Sequence, residues 1–301
     1  MKRLIIIYLL IFATLNTNAQ KDSLQKIDAN RFLIVVDNKV GFIDSTGKQV
    51  IAPLFALGSQ FSEGIASVTH QSAKGFRYAF IDDDMNVVVP TMFDAAGDFS
   101  EGLARVQVKG KWGYINRKGN IVIEPQYSLC YEFNNGYAQA SKKGQWGIIN
   151  KKGEWIVAPV YQSITRVNEG ILGVQNTYGS AWKYINLKSK QVVKDSFDGA
   201  GYFNLGLAPV RNNEDKWGFI NKEGQVIIPY QFSGAFEFSD NGLASVQQNG
   251  YWGFINTKGE VVIEFKYTRG ARFRYNYALV EGVESYGYIN TKGEFIWEYK
   301  D

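Results

Sequence analysis

An eightfold repeat is the feature that most constrains this chain. A five-residue motif, most often Trp-Gly-aromatic-Ile-Asn, returns at intervals of 34 to 38 residues. Its copies begin at Val40, Tyr78, Trp112, Trp146, Trp182, Trp217, Trp252 and Tyr286. Self-similarity at such a period is typical of architectures in which one unit cannot bury its apolar surface alone and stacked neighbours form a continuous core. We therefore expect residues 31–301 to form one domain of eight repeats.

The third copy shows how one unit is built. The alternating residues 103–108 predict a strand, Lys109-Gly110 a turn, and residues 112–116 a second strand. A turn closed by Gly119 leads to a third apolar strand that ends at Pro125. The connector that follows each copy is a candidate for a short fourth strand. Because no window carries apolar residues at helical spacing, we expect almost no helix.

The motif strand predicts how the units pack. Side chains alternate along a strand, so Trp112 and Tyr114 share one face while Ile115 lies on the other beside Gly113. Both faces are apolar, which indicates a sheet covered on both sides. We expect Gly113 to leave room for an aromatic ring of the adjacent repeat. The expected repeat core comprises Trp112, Trp146, Trp182, Trp217, Trp252 and Tyr286.

The fold class expected is all-β: eight tandem β-meanders of about 35 residues. A propeller-like toroid is favoured, because propellers reach about eight blades and neither end of the array carries the polar outer face that an open stack needs. The alternative is an open, curved β-solenoid or superhelical array. In its favour, the period is shorter than the roughly 40–45 residues of a common propeller blade.

Residues 1–19 have the pattern of a secretory signal peptide. A basic start at Lys2-Arg3 precedes an apolar run from Leu4 to Leu15 and small residues before Gln20. We expect cleavage there, a short lead-in over residues 20–30, and export to the periplasm or the medium. No cysteine follows the cleavage site, so no lipid-anchored cysteine is expected, and no later segment is apolar enough to span a membrane.

Composition excludes several classes of function. With one cysteine and one histidine, the chain can form neither an internal disulfide nor a Cys/His zinc cage. The formal net charge of +4 falls to +2 without Lys2 and Arg3, which is too low for a nucleic-acid-binding protein. No phosphate-binding loop or zinc-protease motif is present. We therefore expect no cofactor, no metal and no nucleic-acid partner.

The third copy resembles the WG (also called KWG) β-repeat family, which is common in secreted bacterial proteins. The resemblance is carried by Gly-Leu-Ala at 102–104, Lys-Trp-Gly-Tyr-Ile-Asn at 111–116, Lys-Gly at 118–119 and Ile-Val-Ile at 121–123, followed by Pro125. It covers roughly residues 31–301. The family implies a repeat scaffold without an agreed catalytic activity, so it supplies no functional residues.

Some copies depart from the family pattern and are expected to be less regular. Val40 and Tyr78 replace the tryptophan, and Lys183 replaces the glycine that follows it. Met85 and Ser189 replace the glycine of the turn after the motif strand.

Three sets of residues could carry chemistry, and each has a simpler structural interpretation. Cys130 and His70 could form a nucleophile and base, but Cys130 is expected to be a small buried thiol and His70 a loop residue. Asp98 and Glu101 could act as a glycosidase pair. The position of Asp98 carries either charge in other copies, which predicts a solvated loop. The run 82–84 of three aspartates lacks calcium-loop spacing and predicts a charged turn.

Five lysines recur at the turn after the motif strand: Lys118, Lys152, Lys188, Lys258 and Lys292. Equivalent turns of stacked repeats line one edge, so these lysines could form a basic rim that captures an acidic glycan or cell-surface polymer. Protection of the sheet edges against aggregation is the favoured interpretation, because Glu154, Glu260 and Glu294 partly cancel the charge.

The function expected is a non-catalytic, exported scaffold that presents a surface to a protein or glycan partner. The alternatives are a secreted or periplasmic glycan-active hydrolase and a purely structural envelope component. A deep pocket with clustered carboxylates favours the hydrolase, and a contiguous exposed aromatic or basic patch favours the scaffold.

Overall fold

Antiparallel strands supply all the regular secondary structure in the computed structural model, which describes residues 31–44, 48–72, 75–274 and 276–300. No helix occurs in these ranges, as the sequence predicts. The expected signal peptide at 1–19 and lead-in at 20–30 lie outside the described residues. The chain divides into two compact units, Met1–Pro159 and Val160–Asp301.

Eight separate sheets follow one another along the described chain, and within each sheet strands adjacent in sequence are adjacent in space. The sheets that begin in the first unit consist of β1 (Phe32–Val36), β2 (Lys39–Ile43) and β3 (Gln49–Phe55); β4 (Ile65–Ser72), β5 (Gly75–Asp82) and β6 (Val87–Phe93); β7 (Ala95–Ser100), β8 (Leu103–Val108), β9 (Lys111–Asn116) and β10 (Ile121–Tyr127); and β11 (Leu129–Cys130), β12 (Tyr137–Lys142), β13 (Gln145–Asn150) and β14 (Trp155–Tyr161).

The sheets of the second unit consist of β15 (Ser163–Ile164), β16 (Ile171–Gln175) and β17 (Lys183–Asn186); β18 (Gly199–Ala200), β19 (Ala208–Arg211), β20 (Trp217–Ile220) and β21 (Val226–Phe232); β22 (Gly234–Ala235), β23 (Ala244–Gln248), β24 (Tyr251–Ile255) and β25 (Val261–Tyr267); and β26 (Ala278–Glu281), β27 (Ser285–Ile289) and β28 (Phe295–Lys300). The prediction of eight tandem β-meanders is confirmed. Closure of the array into a ring stays a prediction.

Each apolar cluster of the described core is shared by two consecutive sheets. Between the third and fourth sheets, Tyr114 and Tyr127 pack with Cys130, Phe133 and Ile149. Corresponding clusters join the first sheet to the second, the second to the third, the fifth to the sixth, the sixth to the seventh and the seventh to the eighth. Sheets therefore stack face to face, as the two apolar faces of the motif strand predict.

One ring pair recurs in these interfaces. The third motif residue packs against an aromatic ring of the connector that follows it, nineteen residues later in the chain. The ring centroids are 4.7–5.1 Å apart and the planes are inclined by 50–65°. This tilted geometry is favourable for aromatic quadrupoles. The pairs are Phe42–Phe61, Phe80–Phe99, Tyr114–Phe133, Tyr184–Phe203, Phe219–Phe238 and Phe254–Phe273.

The first motif residue flanks this core. Trp112 is buried, with 8% of its surface exposed. The other members of the expected repeat core are partly buried: Trp146, Trp182, Trp217, Trp252 and Tyr286. The ring two positions later, Tyr114 in the third copy, is fully buried and occupies the centre of the interface.

The motif glycine makes room for backbone and not for a neighbouring aromatic ring. A Cβ on Gly113 would lie 2.7 Å from the nitrogen of Pro125 and closer still to the carbonyl oxygen of Ile123. Both groups belong to β10, the outer strand of the same sheet, whose pairing with β9 is interrupted by bulges on either side of Ile123. The expectation of an aromatic contact from the adjacent repeat is wrong, because the bulged strand already fills that space.

The copy with Lys183 in place of this glycine is irregular, as expected. Its sheet has three strands and no regular outer strand. Only isolated bridges remain, Ile185 with Gln191 and Trp182 with Phe197. Met85 and Ser189 take the left-handed backbone conformation of the glycines they replace, with φ of 67° and 58°.

Candidate functional site

The five predicted rim lysines all lie on the surface. Lys118 and Lys152 belong to the first unit, and Lys188, Lys258 and Lys292 to the second; each side chain is exposed. Each lysine amide donates a hydrogen bond of 2.9–3.0 Å to the side-chain oxygen of the asparagine two residues earlier. These Asx turns fix where each lysine leaves the sheet edge.

A carboxylate accompanies three of these lysines. Glu154, Glu260 and Glu294 each accept a 2.7 Å hydrogen bond from the side-chain nitrogen, Nδ2, of the turn asparagine. The acid is thereby held on the same turn as the lysine, so the local field is partly cancelled, as the sequence predicts.

Sequence reasoning missed a second recurrent surface feature. The first two residues of several outer strands are apolar and 37–48% exposed: Ile121 and Val122, Val226 and Ile227, Val261 and Val262, and Phe295 and Ile296. In the second unit, the turn glycines Gly259 and Gly293 pack against Ile228 and Ile263 of the preceding sheets. The turns that carry Lys258 and Lys292 therefore lie beside the outer strands of the preceding sheets. The signal was available, since these pairs begin nine residues after the motif starts Trp112, Trp217, Trp252 and Tyr286.

Glu101 is part of an inter-repeat contact. Its carboxylate accepts the amide N–H of Gly136 at 3.0 Å and pairs with the ammonium group of Lys151 at 3.0 Å. Glu63 makes the same contacts with Gly102 and Arg117, and Glu169 with Gly206 and Lys222. Each of these carboxylates therefore links two consecutive repeats.

The position of Asp98 is not a solvated loop, and that prediction is wrong. Asp98 and Glu237, which occupies the same position in a later copy, are 7% and 8% exposed. Glu237 accepts a 2.5 Å hydrogen bond from Arg272. In another copy, Glu132 accepts one of 2.6 Å from Arg105. Arginines from other elements neutralise Glu237 and Glu132 in these low-exposure positions.

Flat side chains stack beside these ion pairs. Tyr131 lies on Trp146 with centroids 5.4 Å apart, and the guanidinium of Arg105 lies 4.6 Å over the ring of Trp112. In the second unit, Phe236 stacks on Trp252 at 5.3 Å. One face of each of these rings is covered by another side chain, so the pairs contribute packing and cation–π energy.

Cys130 and His70 lie in different sheets and differ in exposure. Cys130 is fully buried, and burial raises the pKa of its thiol to about 12. His70 is exposed and lies within β4, opposite Arg77. The expectation of a loop at His70 is wrong, because β4 continues to Ser72 along its partner β5.

Asp82 organises a turn. It accepts hydrogen bonds from the amides of Asp84 and Asn86 and from the side chain of Asn86. These bonds, the Asn86 side chain foremost, lower the pKa of Asp82. No cluster of three or more metal-ligating side chains occurs among the described residues. Within the same ranges, no helix has the length and hydropathy needed to cross a bilayer.

Comparison with known proteins agrees with the repeat architecture. A family model described as WG containing repeat matches residues 41–70, 78–112, 112–146, 146–177, 217–252 and 252–281. Comparison with the curated proteins gives no match.

Several solved structures are similar to this chain at low sequence identity. A crystal structure of the eukaryotic initiation factor is 11% identical and has a TM-score of 0.56 over 91% of this chain and 86% of that chain. BamB from Moraxella catarrhalis, a propeller-type fold, is 10% identical over 76% of this chain and 77% of its own, with a TM-score of 0.47. Apo AztD from Citrobacter koseri is 11% identical over 87% and 92%, also with a TM-score of 0.47.

Proposed function

Because the chain belongs to the WG containing repeat family, we propose that it is an exported, non-catalytic scaffold that binds a protein or glycan partner along the outer edges of its sheets. The repeat scaffold is what the family and the fold establish. The absence of catalysis, the partner and the export are the proposal.

One observation carries this proposal. The outer edges expose the same two elements in several copies, a turn lysine and a pair of apolar side chains such as Val261 and Val262. Exposed apolar groups bordered by charge are typical of interaction surfaces. In contrast, the candidate reactive groups are engaged internally. Cys130 is buried, and Glu101 is held by Gly136 and Lys151.

Export is supported by residues 1–19 alone. A basic start, an apolar run of twelve residues and small residues before Gln20 are the three parts of a secretory signal. Release of a fragment of that length on secretion, detected by N-terminal sequencing of the exported chain, supports the proposal. Retention of the uncleaved chain in the cytoplasm contradicts it.

Binding and turnover can be tested in the same samples. The purified chain is titrated against cell-envelope polysaccharides and envelope proteins, and reducing ends are measured after incubation with each polysaccharide. We expect saturable binding, no release of reducing ends, and weaker binding for the rim variant K118Q/K152Q/K258Q/K292Q. Turnover would assign a glycan-active hydrolase instead. Absence of any saturable ligand would assign a purely structural envelope component.

A further inference from the structure

The turn of the fifth repeat carries two lysines where three other copies pair a lysine with an acid. The amides of Lys188 and Lys190 both donate to the side-chain oxygen of Asn186, at 2.9 and 3.1 Å. The residue at the position of Lys190 is an acid in three other copies, Glu154, Glu260 and Glu294. In those three copies the glutamate partly neutralises the turn lysine, whereas in the fifth copy both positions carry a positive charge.

The same repeat, which lacks a regular outer strand, exposes two further lysines. The amide of Val192 donates to the carbonyl of Tyr184 at 3.0 Å, and Trp182 and Phe197 exchange two backbone hydrogen bonds. Residues 193–196 must therefore pass opposite Lys183. Lys183 and Lys194 are both exposed.

The four lysines, which we call the fifth-repeat patch, keep an excess of positive charge. The acids beside them are Asp195 and Glu223, the latter on the turn whose Gly224 packs against Val193. Four cations against two anions leave a net charge of +2. In the seventh repeat, the corresponding turn and outer strand carry Lys258 and Lys266 against Glu260 and Glu264, which leaves none.

Resting on the proposed binding function, we propose that Lys183, Lys188, Lys190 and Lys194 bind a linear polysaccharide that carries carboxylate groups. Charge complementarity selects a polyanion. Lysine ammonium groups act as separate point charges, which matches carboxylates repeated along a polymer chain. Arginine is the residue typical of planar, bidentate recognition of a single anion. Val192, 37% exposed, is the large apolar side chain exposed within residues 183–194. A protein interface or a lipid surface requires a larger apolar contact.

The test uses the purified chain with polygalacturonate as the probe. The variant K183Q/K188Q/K190Q/K194Q is compared with K109Q/K142Q/K143Q/K216Q, which removes the same charge from exposed positions outside the patch and the rim. Because each exposed ion pair changes binding roughly twofold, we expect the patch variant to bind about tenfold more weakly or worse. The control variant should stay within about twofold. A fourfold Lys→Arg patch variant should retain binding, and denaturation midpoints confirm that each variant is folded.

Other outcomes overturn the assignment. Equal losses in the patch and control variants show a non-specific charge effect. Tighter binding of poly-glutamate peptides or of anionic lipid vesicles than of polygalacturonate identifies a protein or lipid surface instead. If the patch variant binds polygalacturonate normally while the rim variant K118Q/K152Q/K258Q/K292Q does not, the patch is refuted and the proposed function stands. If no variant and no wild-type chain binds any ligand, both fail.

Discussion

Gly113 lies directly under the backbone of Pro125, so that a Cβ on the glycine would come within 2.7 Å of the proline nitrogen. The same relation holds between Gly41 and Pro53 and, at 2.8 Å, between Gly147 and Pro159. The glycine of the Trp-Gly pair is thus required by the bulged outer strand of its own sheet. Proline suits that strand, because an edge strand needs no donor on its outer side.

Gly113→Ala should therefore be strongly destabilising. A backbone neighbour cannot rotate away as a side chain can, so we expect a loss of at least about 2–3 kcal/mol in the free energy of unfolding, measured by urea denaturation. Gly282→Ala is the matched control, since its Cβ would meet nothing closer than 3.4 Å. Equal effects of the two substitutions would show that the close approach is not what selects glycine.

Phe133→Ala should lower the free energy of unfolding more than Trp146→Ala does. Phe133 is 1% exposed and packs on Tyr114, whereas Trp146 is partly buried. A fully buried aromatic ring typically contributes about 3–5 kcal/mol, and the structure assigns that range to Phe133. Phe133→Leu, which keeps most of the volume, should lose less than about 1.5 kcal/mol. A larger loss at Trp146 would contradict this order.

Ser189→Gly should stabilise the fifth repeat. Ser189 has a φ of 58°, and an L-residue with a Cβ is disfavoured in this conformation. We expect the free energy of unfolding to rise by about 0.5–1 kcal/mol. Ser196→Gly, in the same segment but without a positive φ, should lower it. The prediction fails if both substitutions change the stability in the same direction.

Glu101 and Lys151 should be energetically coupled. The Glu101 side chain is 3% exposed and bonds both Lys151 and the amide of Gly136. Glu101→Ala leaves that amide without its acceptor, so we expect a loss of about 1–3 kcal/mol. A double-mutant cycle with Lys151→Ala should give a coupling energy of at least about 0.5 kcal/mol. Strict additivity would show that the ion pair contributes nothing.

Cys130 should be unreactive in the folded chain. Burial raises its thiol pKa to about 12, so the thiolate is scarce at pH 8. A disulfide reagent should label no thiol in the native chain and one per chain in guanidinium, because the sequence has one cysteine.

The same shift makes alkaline conditions destabilising. The unfolded thiol ionises from its ordinary pKa near 9, whereas the folded thiol stays protonated to about 12. Its contribution is fully present below pH 9 and is lost as the pH rises toward 12, by up to about 1.4 kcal/mol per pH unit. Burial also raises the pKa of Tyr114 and Tyr184, which act in the same direction at higher pH. Cys130→Ala should flatten the pH dependence of the unfolding midpoint above pH 9. An unchanged slope would contradict the assignment.

The architecture was predictable because its signals are local. Motif spacing, strand alternation and turn glycines gave eight meanders, and the departures at Lys183 and Ser189 marked the irregular copy. The role of Gly113 could not be predicted, because it depends on a bulge in β10 that the residue pattern does not indicate. The burial of Glu132 was hidden for a different reason: its partner Arg105 comes from another sheet, and sequence spacing does not show such long-range pairing.

Part of the candidate site could likewise be predicted from the sequence, and part could not. The exposure of the rim lysines follows from their place in turns after Asn116 and its equivalents. The excess charge of the fifth repeat depends on residues 193–196 passing opposite Lys183, which required the backbone pairing of Trp182 with Phe197.

The constant nineteen-residue separation of the ring pairs, such as Phe219 with Phe238, has an evolutionary consequence. Each ring meets a partner from the next copy, and equivalent ring pairs serve in six interfaces of the described core. Duplication or deletion of one whole copy, for instance by unequal recombination, therefore recreates a matching contact at the new junction. A gene of this kind can change its number of copies without inventing any new packing.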